Sequence, residues 1–320
     1  MKKYESISQF RNVIREVRGI SDFVGIDLEG KSIYKKSLTY PKLKFIGTVK
    51  VHGTNAGIVK YKDRIDFQSR ERVLSLHDDN AGFFNTMETL DLEFLFERFN
   101  FEDNISIWGE WSGGNIQKGV AINGLKKMFI IFGIKVDGIW AQIPKDLFKN
   151  EIGIYNIFQF PTVEIEIDFN FPERVQNELI RLTIEVEEKC PVGAFFNVEG
   201  VGEGIVFTSE LNQDLKFKSK GEKHSVSKVK ILNPVDMEKL ESLNEFIEYS
   251  VTENRLEQGL SHLEENNLSF DSKNIGPFIS WMVKDVLKEE KDLIDSNEFN
   301  ESKIKFLIAN KARAWFLNKI

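Results

Sequence analysis

The sequence predicts an α+β protein in which an antiparallel-sheet domain is followed by a small all-α domain. Runs rich in β-branched and aromatic residues, several of them alternating with polar residues, recur between residues 43 and 220. After the segment ILNPVD (231–236), only helical spacing of apolar residues remains. The chain of 320 residues is long enough for two domains, which we expect to span residues 1–234 and 235–320.

Each predicted element rests on its own pattern. Apolar residues at helical spacing predict helices over 8–18, 84–98 and 175–186 in the first domain. The strands are expected over 44–51, 56–61, 64–69, 105–111, 127–136, 204–209 and 215–220. In the second domain, Gly276-Pro277 predicts a helix start, because proline is accepted in the first turn of a helix.

The composition is that of a folded globular protein, with 41% hydrophobic residues, 29% charged residues and a net charge of −7. It excludes a histone-like basic protein but not nucleic-acid binding, which depends on where lysine and arginine cluster. Cys190 is the only cysteine, so an intrachain disulfide and a cysteine-based zinc site are excluded. The sequence shows neither a secretory signal nor a run of membrane-spanning length, and we expect a cytoplasmic protein.

The stretch KVHGTNAG (50–57) places Lys50 at the end of one predicted strand and His52 in the turn before the next. Backbone N–H groups of a tight Gly-Thr-Asn turn can face an anion. A lysine becomes nucleophilic when partial burial or neighbouring cations lower its pKa. A solvated lysine at a strand end is the plain alternative.

Three further stretches hold candidate site residues. Arg70 and Arg72 follow an alternating strand, where they could contact a phosphate or ribose or lie on a solvated face. Glu110 stands between two tryptophans on an apolar strand, where a carboxylate is costly without a partner. Glu203 directly precedes a strand and is favoured over Glu199, which fits a loop.

Two strands carry the last candidates. Phe129 and Phe132 fit a core, although one of them could stack on a base. Lys216, Lys218 and Lys220 alternate along one strand and so share a face, which is unfavourable unless an anion lies there. A solvated edge strand protected by lysines is the alternative.

Taken in order, these stretches resemble the motif series of covalent nucleotidyltransferases. Most DNA ligases and capping enzymes carry an aspartate where this chain has His52. The sequence His-Gly-Thr-Asn is instead similar to the RNA ligase 2 family, which includes phage RNA ligases and trypanosome RNA-editing ligases. The resemblance extends to residues 250–265 and 281–290, which look like the helical C-terminal domain of the phage type. It implies an antiparallel-sheet nucleotidyltransferase domain of the ATP-grasp-like ligase type.

The resemblance implies a role for each matching residue. Lys50 is expected to attack the α-phosphate of ATP and become lysyl-AMP. Arg70 is expected to contact the nucleotide and the RNA end, and Glu110 to hold the ribose. Phe132 is expected to stack on adenine.

Further roles follow from the same resemblance. Glu203 is expected near the metal and the phosphates, with Glu110 as a second metal-binding carboxylate, and Lys218 and Lys220 are expected to neutralise the α-phosphate. The nucleotide loop is implied to comprise His52, Thr54 and Asn55. The residues implied to contact RNA are Thr54, Phe83, Phe84, Arg255 and Asp285.

The implied activity is ATP-dependent joining of RNA 3′-OH and 5′-phosphate ends at a nick in a duplex, with Mg²⁺ or Mn²⁺, by a monomer without a membrane partner. A phage origin fits the resemblance. Another covalent nucleotidyltransferase (a DNA ligase or an mRNA capping guanylyltransferase) and a non-catalytic RNA-binding relative remain alternatives. Some positions depart from the family pattern, mainly affecting expected RNA-end contacts: Thr48, Val49, Gly133 and Thr208.

Overall fold

The computed structural model describes residues 1–117, 119–221 and 243–320, with Asp292 and Ser296 described by their backbone alone. The chain forms two compact units. The first unit comprises residues 1–6, 48–163 and 185–204, and the second comprises residues 7–47, 164–184 and 205–320. The predicted domain boundary at 234/235 lies outside the described residues, so that division stays a prediction.

The secondary structure is mixed. The strands are β1 (Phe23–Ile26), β2 (Ser32–Tyr34), β3 (Lys42–Val49), β4 (Thr54–Tyr61), β5 (Ile65–Ser69), β6 (Asn104–Ser112), β7 (Met128–Val136), β8 (Ile139–Ala141), β9 (Ile154–Asn156), β10 (Val163–Asp168), β11 (Gly204–Ser209) and β12 (Lys216–Lys220). The helices are α1 (Phe10–Asp22), α2 (Phe83–Met87), α3 (Gln176–Glu188), α4 (Pro191–Phe195), α5 (Leu243–Ser250), α6 (Glu253–Glu265), α7 (Ile275–Glu289), α8 (Lys291–Ser296) and α9 (Glu301–Lys319).

The first unit is built on an antiparallel sheet with the strand order β5-β4-β6-β7-β8, and β9 pairs with β7 in parallel. One face of this sheet buries Ile58, Ile107, Trp111 and Phe129 in a core that Phe83 of α2 also joins. Because side chains alternate along a strand, the other face carries a second set of residues. We call it the Glu110 face, after its residues Asn55, Gln68, Trp108, Glu110 and Phe132.

Phe132 lies at an irregularity of this sheet. Gly133 of β7 is paired with Trp108 of β6, and Ile131 with Gly109, so Phe132 is an extra residue with no partner on β6. This is the arrangement of a β-bulge, which re-aims a side chain and is common beside functional sites.

The second unit contains a four-stranded sheet in the order β10-β3-β11-β12. Its core centres on Phe217 of β12, whose ring lies 4.8 Å from Phe10 of α1, 5.5 Å from Phe45 and 5.0 Å from Phe207, between ring centroids. Residues 243–320 fold entirely as helices and short turns around a separate apolar cluster, in which α7 packs against α6 and α9.

The predicted α+β class, with antiparallel sheets and C-terminal helices, is confirmed. Each predicted strand is present, and so are the first helix and the helix start at Gly276-Pro277. The helix expected over 84–98 is wrong in extent, since only α2 and a short turn at Glu93–Leu95 are helical there. Side chains compete for the backbone at this point: Thr89 Oγ1 donates to the Thr86 carbonyl, and Asp91 accepts from the Glu93 N–H.

In the part of the chain that the structure describes, no helix combines the length and apolarity needed to cross a membrane.

Gly53, at the end of the turn between β3 and β4, is fixed as glycine by a close approach to β6. A Cβ atom at this position would lie 2.4 Å from the carbonyl oxygen of Trp111, 2.9 Å from Cβ of Ser112 and 3.0 Å from Cγ of Glu110. The β6 backbone is held by its pairing with β4 and cannot move away without breaking that ladder. The turn that follows Lys50 therefore depends on glycine.

We expect Gly53→Ala to lower the free energy of unfolding by about 1–3 kcal/mol, the usual cost of overpacking. Urea denaturation of the full chain measures this effect. Gly124→Ala is the matched control, because a Cβ atom on Gly124 meets nothing within 4 Å. Equal stability of the two variants would contradict this account of Gly53.

Candidate functional site

Lys50 and Glu203 meet because the strands beside them pair in antiparallel fashion. The Lys50 N–H donates to the Gly204 carbonyl at 2.8 Å, and the Glu210 N–H donates to the Lys44 carbonyl at 3.1 Å. Lys50 follows the last residue of β3 and Glu203 precedes the first residue of β11, so the ladder brings the two side chains together. Lys50 Nζ lies 2.8 Å from Glu203 Oε2.

The Glu203 carboxylate is buried, with 3% of its side chain exposed, whereas Lys50 is 21% exposed. Nδ1 of His52 lies 3.1 Å from the same Glu203 oxygen. An ionised carboxylate can only accept hydrogen bonds, so His52 must donate from Nδ1 to this oxygen. A buried carboxylate is tolerated only with such partners. Lys50, His52 and Glu203 thus form one cluster, in which the side chain of Lys50 stays partly exposed.

Backbone hydrogen bonds hold the segment that precedes Glu203 in place. The Cys190 N–H donates to the Gly200 carbonyl at 2.9 Å, and the Ala121 N–H to the Val201 carbonyl at 3.0 Å. Gly202 passes so close to α3 that a Cβ atom there would lie 2.4 Å from the carbonyl oxygen of Val186. Glycine at position 202 is therefore required by packing.

The Glu110 face and Arg70, which directly follows β5, account for four of the predicted nucleotide-contacting residues. Asn55 and Glu110 are directly opposite each other on β4 and β6. Arg70 follows β5 and is exposed, and Phe132 is half-buried. Gly53 lies next to the Glu110 side chain and directly follows His52, which connects this face to the turn that carries Lys50.

The two arginines that the sequence left equivalent differ in the structure. Arg72 Nε donates to Asp78 at 2.8 Å, and Arg72 Nη2 donates to the Asp79 carbonyl at 3.2 Å. Arg72 therefore stabilises the loop that follows β5. Arg70 remains the candidate for contact with a ligand.

A family model described as RNA ligase matches residues 43–230, more than half of the chain. The chain belongs to the RNA ligase family. Solved structures similar to this chain include Naegleria gruberi RNA ligase with PPi, at 19% identity and a TM-score of 0.45, covering 70% of this chain and 56% of that chain. A mutant of that ligase with AMP and Mn gives 18% identity, a TM-score of 0.45 and coverage of 70% and 56%.

Another mutant of the Naegleria ligase, with ATP and Mn, gives 19% identity, a TM-score of 0.44 and coverage of 70% and 57%. This member of the RNA ligase family thus spans just over half the length of those ligases. No curated protein matches the chain.

Three of the residues expected at RNA lie in or beside the core of the first unit. Thr54 is buried, and its Oγ1 accepts a hydrogen bond from Asn80 Nδ2 at 3.0 Å. Phe83 is fully buried and packs on Phe129, with 5.1 Å between ring centroids. Phe84 is half-buried and packs edge-to-face on Phe67. Contact with RNA stays a prediction for all three, and Phe83 as placed offers no surface for it.

In the second unit, the predicted phosphate-binding lysines lie on β12. Phe217 and Ser219 point into the core, so Lys216, Lys218 and Lys220 share the opposite face, as the alternation predicted. Lys218 Nζ lies 3.0 Å from Oε2 of Glu289, the last residue of α7. Lys216 is 5% exposed. The alternation predicts the same exposure for all three lysines, so it could not predict that Lys216 is buried.

Arg255 and Asp285 belong to a buried charge cluster. Arg255 is fully buried, with Nε 2.9 Å from Asp285 and Nη2 3.1 Å from Glu290. Oε2 of Glu290 also lies 2.7 Å from Nη2 of Arg11 in α1. Burial alone would lower the pKa of Arg255, but Glu290 and Asp285 outweigh it and raise that pKa. As placed, Arg255 joins α6 to α7; a role at RNA stays a prediction.

Over residues 1–117, 119–221 and 243–320, no three His, Cys, Asp or Glu side chains lie close enough to hold a metal ion among themselves. Binding of Mg²⁺ by Glu203 and Glu110 stays a prediction. Mg²⁺ is commonly bound by only one or two carboxylates, together with phosphates and water.

The pair of Lys218 and Glu289 makes stability depend on pH. Burial alone would raise the pKa of Glu289, but Lys218, Arg255 and a hydrogen bond from Gln9 outweigh it and lower that pKa from 4.5 to about 2. The folded-state pKa is the lower one, so ionised Glu289 stabilises the fold above pH 4.5, and this contribution is lost as the pH falls from 4.5 toward 2.

We expect the parent chain to lose about 2 kcal/mol more stability than Glu289→Gln between about pH 7 and pH 3. Denaturant unfolding at a series of pH values measures the difference. Glu298→Gln removes an exposed carboxylate and is the control that should retain the parent's loss. Parallel stability curves for the parent and Glu289→Gln would contradict the assignment.

Proposed function

We propose that this chain is an ATP-dependent RNA ligase that joins 3′-OH and 5′-phosphate RNA ends through a lysyl-AMP intermediate. The observation that carries the proposal is the contact between Lys50 and the buried Glu203, at 2.8 Å, in a chain of the RNA ligase family. A partly exposed amine held by a buried carboxylate suits a nucleophile that must give up a proton when it attacks.

This geometry supports the following first step. Lys50 Nζ attacks the α-phosphorus of ATP, forming an N–P bond, while the bond from that phosphorus to the bridging oxygen breaks and pyrophosphate leaves with the electron pair. Before the attack, the ammonium group of Lys50 passes one proton to the Glu203 carboxylate, which lies within hydrogen-bonding distance. The second proton, released as the N–P bond forms, passes to solvent. The hydrogen bond from His52 keeps that carboxylate oriented toward Lys50.

Two transfers complete the reaction. An oxygen of the RNA 5′-phosphate attacks the phosphorus of lysyl-AMP, which breaks the N–P bond and returns Lys50 to its free form. The RNA 3′-OH then attacks the adenylylated 5′-phosphate, a phosphodiester forms, and AMP leaves. Such transfers depend mainly on positioning and charge neutralisation.

The Glu110 face supplies the nucleoside contacts in this proposal. Phe132 stacks on adenine, Glu110 accepts hydrogen bonds from the ribose, and Arg70 binds phosphate of the nucleotide or the RNA end. Asn55 lies beside Glu110 and is a further polar residue of this proposed nucleoside site. These roles rest on the family resemblance and on the placement of the four residues together.

Bound Mg²⁺ or Mn²⁺ supplies charge neutralisation of the phosphates; Glu203 and Glu110 are its proposed carboxylate ligands, together with oxygens of ATP. Lys218 and Lys220 are proposed to bind the α-phosphate. Lys218 is paired with Glu289 at 3.0 Å, so phosphate binding by Lys218 requires that this pair opens.

Two features favour RNA ligation over the other covalent nucleotidyltransferases. His52 stands where DNA ligases and capping enzymes are expected to carry an aspartate, and its ring is already engaged with Glu203. Residues 243–320 are helical, unlike the β-rich C-terminal domain expected of those enzymes. A non-catalytic RNA-binding relative would have no need for a lysine aligned with a buried carboxylate.

We expect the full chain, incubated with α-labelled ATP and Mg²⁺, to retain label covalently, and Lys50→Ala to retain none. Lys44→Ala changes an exposed lysine of the same strand and should be labelled like the parent. Glu203→Gln should slow labelling by about 10²-fold, the usual contribution of a proton-accepting group.

If neither ATP nor GTP gives a covalent adduct, the proposal that the chain is an enzyme is contradicted. Labelling with GTP alone would favour a capping enzyme. An adduct that survives Lys50→Ala would refute this lysine as the nucleophile.

The proposed substrate is a nick in a duplex, because the family resemblance assigns Arg255 and Asp285, on the helices of residues 243–320, to nick sealing. We expect sealing of a nicked RNA duplex to exceed joining of the same unpaired strands by at least about tenfold, since a template holds the ends in place. A nick with a DNA 3′-OH strand is the control. Preference for that DNA strand would overturn the RNA assignment.

A further inference from the structure

A segment formed by residues 2–5 lies against the Glu110 face and is fixed there at several points. The Lys2 N–H donates to Gln68 Oε1 at 3.0 Å, and Trp108 Nε1 donates to the Lys2 carbonyl at 3.3 Å. The side chain of Glu5 pairs with Lys135 of β7 at 3.4 Å. These contacts tie the 2–5 segment to β5, β6 and β7, the strands that end near Arg70 or carry Glu110 and Phe132.

The ring of Tyr4 packs within an aromatic cluster on this face. Its centroid lies 4.9 Å from that of Phe132, in an edge-to-face contact of 63°, and 5.7 Å and 5.9 Å from those of Trp108 and Trp140. Such aromatic pairs stabilise a structure beyond what the area they bury contributes. The contact with Phe132 bears on the bulge, because a residue without a partner on β6 needs packing to fix its ring.

Gly133 leaves the space that Tyr4 fills. A Cβ atom on Gly133 would lie 3.1 Å from Cε2 of Tyr4 and 3.2 Å from Cζ3 of Trp140. The family resemblance leads one to expect an aspartate at this position, and its Cβ atom would crowd both rings, which would have to move by a few tenths of an ångström. Glycine in place of the expected aspartate at position 133 therefore leaves room for the ring of Tyr4.

The charges of the proposed nucleotide site act on Tyr4 as well. Burial, followed by the negative charges of Glu5 and Glu110, raises the pKa of the Tyr4 phenol, while Arg70 acts in the opposite direction. Tyr4 is thus close to three residues that the proposed function places at the nucleotide: Arg70, Glu110 and Phe132.

We propose that Tyr4 is a positioning residue for ATP, whose ring holds Phe132 in the orientation that stacks on the base. This inference rests on the proposed function, in which Phe132 binds adenine. Tyr4 acts through Phe132, so its contribution belongs to nucleotide affinity and not to the reaction of Lys50. Because the ring makes the contact, phenylalanine at position 4 serves equally well.

The test measures the dissociation constant of ATP with Mg²⁺ for the full chain on a Lys50→Ala background, which prevents turnover. We expect Tyr4→Leu to raise this constant by about tenfold, equivalent to the upper range of an aromatic contact, and Tyr4→Phe to leave it within about twofold. Tyr34→Leu, a change of an exposed tyrosine, is the matched control. Tyr4→Leu keeps apolar bulk, and urea denaturation checks that it folds.

A double-mutant cycle separates positioning from general stability. If Tyr4 acts through Phe132, then Tyr4→Leu weakens ATP binding no further when Phe132→Ala is already present. Additive losses would overturn the inference, as would an equal loss in Tyr4→Phe or unchanged binding by Tyr4→Leu. Tighter binding by Tyr4→Leu would show instead that the ring occupies the nucleotide's place.

The two proposals fail in different ways. Self-labelling of the parent chain with α-labelled ATP tests the proposed function, whereas the cycle measures binding alone. A parent chain that becomes labelled, combined with an additive cycle, would overturn only the role of Tyr4. Absence of ATP binding by the Lys50→Ala chain would overturn the role of Tyr4 outright.

Discussion

The antiparallel pairing of β3 with β11 is the constraint on which the site depends. Lys50 and Glu203 are 153 positions apart in the chain, so a long-range pairing of the backbone is needed to bring them together. The ladder aligns the end of one strand with the start of the other, so their distance is set by backbone geometry. Gly53 and Gly202 then permit the close backbone approaches on either side. Buried Glu203 is tolerated because this geometry guarantees it a cation and an imidazole.

Much of the fold could be predicted because its signals are local. Alternation along β5 and β12 and the apolar run of β7 identified strands, and the ordered motifs identified the residues around Lys50. The helix expected over 84–98 failed because Leu92, Leu95 and Phe96 reach the core from a loop that contains only one short helical turn, and apolar spacing cannot reveal this. Tyr4 was missed for a different reason. Its partners Trp108, Phe132 and Trp140 are distant in sequence, and only the folded sheet brings them together.

The buried charges of the second unit show the same limit. Arg255 and Asp285 could be singled out by resemblance, but their mutual contact and the part played by Glu290 depend on how α6 packs against α7. A fully buried arginine is strongly destabilising unless carboxylates accompany it. Removing one carboxylate leaves a charge without full compensation, so these residues are coupled and their substitutions are not expected to act additively.

At the bulge, the direction of the Phe132 side chain is independent of the hydrogen-bond pairing between β6 and β7. At a regular strand position, the backbone pairs with the neighbouring strand and the side chain points to one fixed face of the sheet. A shift in register therefore changes the pairing and the side-chain direction together. Phe132 has no counterpart on β6, and its ring direction is set by neighbouring rings. The side chain at this position can therefore change without a shift in the pairing of β6 with β7, so the strand that carries Glu110 keeps its alignment.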